Sequence, residues 1–361
     1  MQVPPSTPTP NTYVAIMAGG IGSRFWPASR ESRPKQFLDI MGTGKSLIRQ
    51  TFERFLQLCP AENIFIVTNG MYKQLVLEHL PELQEHQVLC EPSRNNTAPC
   101  IAYTAFKLYN LNPAANFVVA PSDHIILKEA DFINYLQKAL EFTNQNKALV
   151  TLGIQPSRPD TGYGYINFSD NGDAIHKVVQ FKEKPDLETA ASYLTSGNYL
   201  WNAGIFVWKA ATVLEQFKEH TPAIYDILKK GEKHYNTPTE QAFIDEAYPT
   251  TPSISVDYAI MEKSNAVYTI PSEFGWSDLG TWNSLHVESE KDDNQNVVNG
   301  KAILSEVTNS LVRLPENKLL VAKGLEDFII VDEGDVLLIY PKSKEQEIKG
   351  VTKNIGDKKY L

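Results

Sequence analysis

The chain predicts an α/β protein, a mostly parallel sheet with helices on both faces, followed by a small all-β domain. Over residues 13–152, short apolar runs alternate with helical patterns, the signature of strand–helix–strand units. The loops richest in charged residues and glycine follow the apolar runs, where open α/β sheets place their ligands. After about Lys291 the texture changes. Apolar runs recur at Leu311, Leu319, Phe328 and Val336, eight or nine residues apart, divided by Pro, Gly, Asn and Asp without a helical period.

In chain order, Tyr13-Val14-Ala15-Ile16-Met17 reads as a buried strand. Strands are then expected at Asn63 to Val67, Gln87 to Cys90, Asn116 to Ala120 and Ala148 to Leu152. The segments 46–58, 72–80, 98–110 and 129–144 between them read as helices, which places successive strands side by side. Residues 160–290 continue as a mixed region. Pro, Ser and Thr crowd residues 2–10, a composition that cannot bury a core. The expected organisation is a disordered tail over 1–11, a catalytic domain over 12–290 and a β domain over 291–361.

At 361 residues the chain can bury a substantial core. A net charge of −9 and a pI near 5.4 argue against a nucleic-acid partner, which would need a basic face. No apolar run approaches the ~20 residues of a membrane span, and no signal peptide is visible; a cytoplasmic protein without a membrane partner is expected. Cys59, Cys90 and Cys100 have no paired spacing and read as buried, reduced thiols. The seven histidines lack metal-ligand spacing, which disfavours zinc.

The first strand runs into Ala18-Gly19-Gly20-Ile21-Gly22-Ser23-Arg24, then Pro27 and Pro34-Lys35-Gln36. Glycines let backbone N–H groups approach a phosphate. Arg24 offers a planar fork for phosphate oxygens and Lys35 a mobile point charge, so the segment reads as a triphosphate cradle. The dinucleotide fingerprint is excluded because Phe25 stands where its third glycine belongs. Gly42-Thr43-Gly44-Lys45-Ser46 imitates the end of a P-loop, but Asp39 occupies the position of the leading glycine. It reads as a turn opening a helix, with Ser46 as N-cap.

Asp123 in Pro121-Ser122-Asp123-His124 follows the apolar run Phe117-Val118-Val119-Ala120. A carboxylate at a strand's carboxyl end can hold Mg²⁺, and equally can cap a turn. Phe181-Lys182-Glu183-Lys184-Pro185 taken alone is a solvated charge run. Trp201-Asn202-Ala203-Gly204 sets an amide beside an aromatic, a pairing suited to carbohydrate or to an ordinary core.

The run Gly20-x-Gly22-x-Arg24-x-x-Pro27 with Pro34-Lys35-Gln36 resembles the signature of the sugar-nucleotide pyrophosphorylases. Trp26 and Lys35-Gln36-Phe37 are most similar to the mannose-1-phosphate guanylyltransferase branch. The resemblance extends from about residue 13 to the C-terminus. It implies a Rossmann-like fold of the nucleotide-diphospho-sugar transferase type, with a short β-helix-like C-terminal domain that often mediates self-association. A homodimer is therefore expected. Longer members carry a further cupin-type isomerase domain, for which this chain is too short.

The resemblance also assigns roles. Arg24, Lys35 and Lys184 are the catalytic cations. Ala18, Gly19, Gly20, Gly22 and Ser23 bind the nucleotide. Asp123 and Asp278, the latter in Phe274-Gly275-Trp276-Ser277-Asp278-Leu279-Gly280, chelate Mg²⁺. Lys184 of the Glu183-Lys184-Pro185 motif binds the phosphate of a sugar 1-phosphate. Glu183, Gly164 in Thr161-Gly162-Tyr163-Gly164-Tyr165, and Asn202 meet the sugar. Glu91-Pro92-Ser93-Arg94-Asn95-Asn96-Thr97-Ala98-Pro99 resembles the loop E-P-x-x-R-N-T-A-P, except that Asn95 stands where arginine is usual and Arg94 lies one place earlier. Asn96 and Thr97 serve there either as base contacts or as the cap of the next helix.

The implied reaction joins GTP and α-mannose 1-phosphate to give GDP-mannose and diphosphate, by in-line attack of the sugar phosphate on the α-phosphorus. That phosphate is already ionised at neutral pH, so no general base is needed, and His124 reads as structural. Three alternatives remain: a guanylyltransferase for fucose or heptose 1-phosphate, a catalytically silent regulatory relative, and a metal-dependent glycosyltransferase. The last would carry Asp-x-Asp where this chain has Pro121-Ser122-Asp123-His124.

Overall fold

The structure, a computed structural model, describes residues 11–170 and 172–361. The expected tail therefore lies outside the described residues apart from Asn11, whose carbonyl accepts the Asn116 N–H at 2.9 Å. The chain divides into two compact units interleaved in sequence. One comprises the segment ending at Gly19, Phe52–Ser122 and Ile126–Trp276; the other comprises Gly20–Thr51, Asp123–Ile125 and Ser277–Leu361.

Among the described residues seventeen strands form, in chain order: β1 Thr12–Met17, β2 Ile64–Asn69, β3 Val88–Glu91, β4 Asn116–Pro121, β5 Ile125–Ile126, β6 Leu149–Ile154, β7 Tyr165–Ser169, β8 His176–Lys182, β9 Tyr199–Lys209, β10 Val267–Ser272, β11 Trp276–Ser277, β12 Val297–Asn299, β13 Lys301–Ser305, β14 Leu311–Arg313, β15 Leu319–Lys323, β16 Phe328–Asp332 and β17 Leu337–Pro341. The first unit is built on a nine-stranded sheet in the order β3-β2-β1-β4-β9-β6-β10-β8-β7. β3, β2, β1 and β4 are parallel, as their near-continuous apolar runs predict for strands buried on both faces. Beyond them the sheet is mixed. β9 runs antiparallel to both β4 and β6, so parallel pairing is confined to one half plus the β6–β10 pair.

The parallel register aligns Val14 with Val118 and Met17 with Pro121. β1 and β4 therefore end level, and the Ser122 N–H donates to the Met17 carbonyl at 3.0 Å. The Gly-rich loop and the Asp123 loop leave the sheet from adjacent strand ends. Helix α1 (Leu47–Phe55) follows the decoy turn, whose Thr43 and Gly44 N–H groups donate to the Asp39 carboxylate at 2.9 and 2.6 Å. That turn is closed by its own side chain. α2 (Lys73–His79), α3 (Thr97–Leu111) and α4 (Glu129–Gln145) match the expected helices to within a few residues at each end.

In the second unit β12, β14 and β16 stack in parallel, and β13 pairs with β15 alongside. This coiled arrangement is the expected β-helix-like domain, closed by the antiparallel β17 and a run of short helical turns over 342–360. Its core is shared with the loop after Gly19. Phe25, Trp26 and Leu38 pack in one cluster with Trp282, Leu311, Ile329 and Val331. Phe25 and Trp282 lie ring to ring at 4.8 Å, and the Trp282 indole N–H donates to the Trp26 carbonyl at 3.2 Å. The sequence places residues 20–51 with the catalytic domain, whereas their packing partners here are C-terminal.

Candidate active site

Gly22 adopts a left-handed backbone with φ 74° and caps a short turn over Ser23–Phe25. Two constraints exclude a side chain there. The backbone disfavours any L residue, and a Cβ would stand 2.5 Å from the Lys35 Cβ. That close approach lets Lys35 run beneath the loop, where its N–H donates to the Ile21 carbonyl at 3.0 Å. Lys35 is 3% exposed. Its ammonium donates to the Asp123 carboxylate at 2.9 Å and to the Asp278 carbonyl at 3.0 Å.

Burial pushes the Asp123 carboxyl up, but the Lys35 ammonium and His124 outweigh it and hold Asp123 below the usual carboxylate range. Asp123 is thus ionised at any physiological pH. Asp278 is followed by Leu279 in a left-handed conformation, φ 44°, a strained backbone of the kind that gathers at functional sites. The Asp278 carboxylate accepts the Gly280 N–H at 3.2 Å. Arg24 is exposed. Burial raises the Glu345 carboxyl, and the Arg24 and Lys342 cations work against that rise. Lys35, Asp123 and Asp278 are thus brought together from three distant stretches of chain.

A second constellation lies in the first unit. Glu183 is 5% exposed, and its carboxylate holds the Lys184 ammonium at 2.6 Å. Lys184 has a left-handed backbone, φ 45°, directly before Pro185, where sterics favour extended conformations. Its N–H is pinned to the Tyr163 carbonyl at 3.2 Å. Burial lowers the Lys184 pKa, yet its contact with Glu183 and the field of Asp257 raise it on balance. Gly164 is needed for a different reason: a Cβ there would lie 2.6 Å from Glu183 Oε2. The Gly164 carbonyl accepts the Asn202 N–H at 2.8 Å. Tyr163 packs edge-on against Trp201 at 5.0 Å and Trp276 at 5.3 Å, an aromatic wall beside these polar groups.

Asn202 sits within β9 rather than in a turn. Its Oδ1 accepts from the Thr151 hydroxyl at 2.7 Å and from the Gly204 N–H at 3.2 Å. That fixes the amide so that Nδ2 donates to Asp257 Oδ1 at 3.0 Å. Asp257, which the sequence did not signal, opens a π-helical turn over Asp257–Met261, a form enriched at functional sites. Burial and the Glu183 carboxylate push its pKa up to about 7.

The loop after β3 separates the roles of its residues. Asn95 is buried, and its amide donates to the Tyr248 carbonyl, the Thr251 carbonyl and the Thr251 hydroxyl at 3.1, 2.9 and 3.0 Å. Arg94 is exposed and donates to the Tyr72 hydroxyl at 3.3 Å. Asn96 caps α3 through the Thr97 N–H at 2.9 Å, and the Thr97 hydroxyl accepts the Val256 N–H at 2.9 Å. Both side chains are engaged in shaping the loop. Behind it, burial pushes the Glu91 carboxyl up to about 7 despite hydrogen bonds from Tyr248 and Cys100. A Cβ on Gly19 would touch Glu91 Oε2 at 3.7 Å. Ala18 is locked to β2, its N–H on the Val67 carbonyl and its carbonyl on the Thr68 hydroxyl, each at 2.8 Å. No Cβ contact constrains Gly20.

Among the described residues, no group of three or more His, Cys, Asp or Glu is placed to hold a metal unaided. Asp123 and Asp278 nevertheless fit Mg²⁺, which is bound through one or two carboxylates and completes its shell with water and phosphate oxygens. The Asp123 side chain is 32% exposed, which leaves its oxygens open to such a shell. Among the described residues no helix is long and apolar enough to cross a membrane. All three cysteines are free and buried.

Known proteins give this geometry a context. A family model for nucleotidyl transferases matches residues 13–295. Over 342 residues the chain is 38% identical to mannose-1-phosphate guanylyltransferase RfbM of Salmonella typhimurium, covering 93% of this chain and 71% of RfbM. It is 36% identical over 351 residues to the alginate biosynthesis protein AlgA of Pseudomonas putida, covering 95% and 71%. A crystal structure of mannose-1-phosphate geranyltransferase from Thermus thermophilus superposes with a TM-score of 0.86 at 30% identity, covering 95% of this chain and 99% of that one. With its glycine loop, its buried lysine and the two aspartates that lysine meets, the chain belongs to the nucleotidyl transferase family, a family of enzymes.

Proposed function

We propose that the chain is a mannose-1-phosphate guanylyltransferase, converting GTP and α-mannose 1-phosphate to GDP-mannose and diphosphate. The observation that carries the chemistry is the buried Lys35 ammonium, seated on the Asp123 carboxylate and the Asp278 carbonyl beneath a glycine loop. The similarity to RfbM supports the choice of substrates.

Two polyanions must meet, so the protein's work is positioning and neutralisation rather than proton transfer. The loop Gly19, Gly20, Gly22 and Ser23, continuing from Ala18, presents backbone N–H groups to the triphosphate. Arg24 and Lys35 stabilise charge gathering on the departing diphosphate. Asn96 and Thr97, at the N-terminus of α3, are assigned to the nucleotide side through the loop they shape. Lys184 aligns the attacking phosphate; Glu183, Gly164 and Asn202 hold the sugar. Asp123 and Asp278 would hold Mg²⁺, which when bound supplies charge neutralisation to phosphate oxygens. A homodimer and a cytoplasmic location are part of this proposal. The exposed Ile303, Leu319 and Val321 on the two-stranded β13–β15 sheet support the first.

Lys184→Ala is expected to raise the KM for mannose 1-phosphate with the KM for GTP nearly unchanged. Asp278→Asn should keep the fold and lose at least ~100-fold in turnover, the scale of one preorganised electrostatic contact. A rise confined to the GTP KM in the first variant would reverse the assignment of substrates to residues. Near-normal turnover in the second would remove Asp278 from the metal site.

A further inference from the structure

The sugar-side constellation contains more carboxylate than a neutral site can hold comfortably once its cation is drawn away. Among the described residues one ammonium, Lys184, serves two acids there. It touches Glu183 at 2.6 Å and lies within the field of Asp257. Asp257 is bonded to the Asn202 amide at 3.0 Å, and Asn202 is fixed by Thr151 and Gly204 so that it cannot turn its oxygen toward Asp257 without losing both bonds. The further titratable groups bonded to this pair, among the described residues, are Tyr258, whose hydroxyl lies 3.5 Å from the Glu183 carbonyl, and Glu262, which accepts the Glu183 N–H at 2.9 Å. Neither is a cation.

We infer that Asp257 is the positioning residue of the sugar-phosphate site, orienting Asn202 and taking up one proton from solvent when Lys184 moves from Glu183 to a phosphate. The inference rests on the proposed assignment of Lys184 and Glu183 to the sugar 1-phosphate. Before binding, Glu183 and Asp257 share one ammonium. A phosphate dianion that engages that ammonium adds negative charge beside two carboxylates, and like charges in a poorly solvated site cannot all stay ionised. Burial and the Glu183 carboxylate push the Asp257 carboxyl up to about 7, so it can take up that proton near neutral pH. Protonated Asp257 still accepts from Asn202 through Oδ1 and gains an O–H to offer a sugar hydroxyl or Glu183. No electron or co-reactant is involved; the only species transferred is a proton from water.

Linkage fixes the direction. A complex that holds one proton more than the free enzyme weakens as pH rises, approaching about tenfold in apparent affinity per pH unit once the free group is ionised. Ionisation of the ligand's own phosphate runs the other way and is complete near pH 7, since its second pKa is about 6. The KM for mannose 1-phosphate should therefore rise from pH 7 to 9 in the wild-type enzyme, with little change in the GTP KM.

Three measurements test this. Mixing wild-type enzyme with mannose 1-phosphate at pH 7.5 in weak buffer with a pH indicator should show net proton uptake; no change or net release would overturn the inference without any variant. Asp257→Asn keeps an acceptor for Asn202 but cannot titrate, so its KM should become flat from pH 7 to 9; a slope equal to the wild type would overturn the proton assignment. Asp257→Ala removes the acceptor as well and should raise the KM at least tenfold at every pH; a wild-type KM would overturn the positioning role. Absence of any turnover with mannose 1-phosphate in folded wild-type enzyme is a different failure. It would remove the functional assignment itself.

Discussion

Gly22→Ala tests the architecture of the phosphate loop in a single methyl group. The backbone at Gly22 is left-handed, and an alanine held there costs about 1–2 kcal/mol. The added Cβ would stand 2.5 Å from the Lys35 Cβ, against an ordinary contact of 3.4 Å or more, so the two chains must part by roughly 1 Å. The Lys35 Cβ sits next to backbone, and the side chain is buried; bending its tip offers no relief. The ammonium must then leave a position defined by contacts of 2.9 Å to Asp123 and 3.0 Å to Asp278. Displacement of a positioned catalytic group by ~1 Å is worth about 100-fold in rate. Diphosphate release under saturating GTP and mannose 1-phosphate should fall by that factor, while the melting temperature drops by only a few degrees. Gly20→Ala is the control for folding, because a Cβ there meets nothing within 4 Å. Turnover within threefold of wild type in Gly22→Ala would refute the claim that this close approach sets the position of Lys35.

Gly164→Ala directs a methyl group at Glu183 Oε2, 2.6 Å away. The carboxylate end can swing aside, so the fold should survive while the KM for mannose 1-phosphate rises; an unchanged KM would show that Glu183 does not define the sugar site. Glu91 gives a stability prediction with a definite sign. Its folded pKa of about 7 exceeds the ordinary 4.5, so the folded protein binds this proton more tightly than the unfolded chain. Its contribution to stability is present below pH 4.5 and is lost as pH climbs to 7, by at most about 3 kcal/mol. Denaturant titrations of Glu91→Gln should lack that component of the decline, and curves parallel to the wild type across this window would contradict it.

Much of this was legible because local sequence carries it. The alternation of apolar runs marked β1 to β4 and α1 to α4, and the glycine loop pointed to Lys35, whereas Asp123, Glu183 and Lys184 read alone as a turn cap or a solvated charge run and took their expected roles only from the family resemblance. Three features were not. β9 continues an apolar run that reads equally well in either direction; only its pairing with β4 and β6 makes it antiparallel. Asp257 looks like any polar residue in Ser255-Val256-Asp257-Tyr258. Its meaning comes from Asn202, 55 residues earlier, a contact no local pattern encodes. The support of the Gly-rich loop was hidden for the same reason, since Phe25 and Trp26 find Trp282 and Leu311 only in three dimensions. At Asn95 the structure supplies what spacing could not, a buried slot whose three acceptors suit an amide.

The most direct test of the central claim is diphosphate release with Mg²⁺, offering GTP, ATP, UTP and dTTP against mannose, glucose and fucose 1-phosphates. Release from GTP with mannose 1-phosphate is expected far above every other pair. Preference for another pair would contradict the substrate assignment, and no release from any pair by folded protein would contradict the enzyme itself.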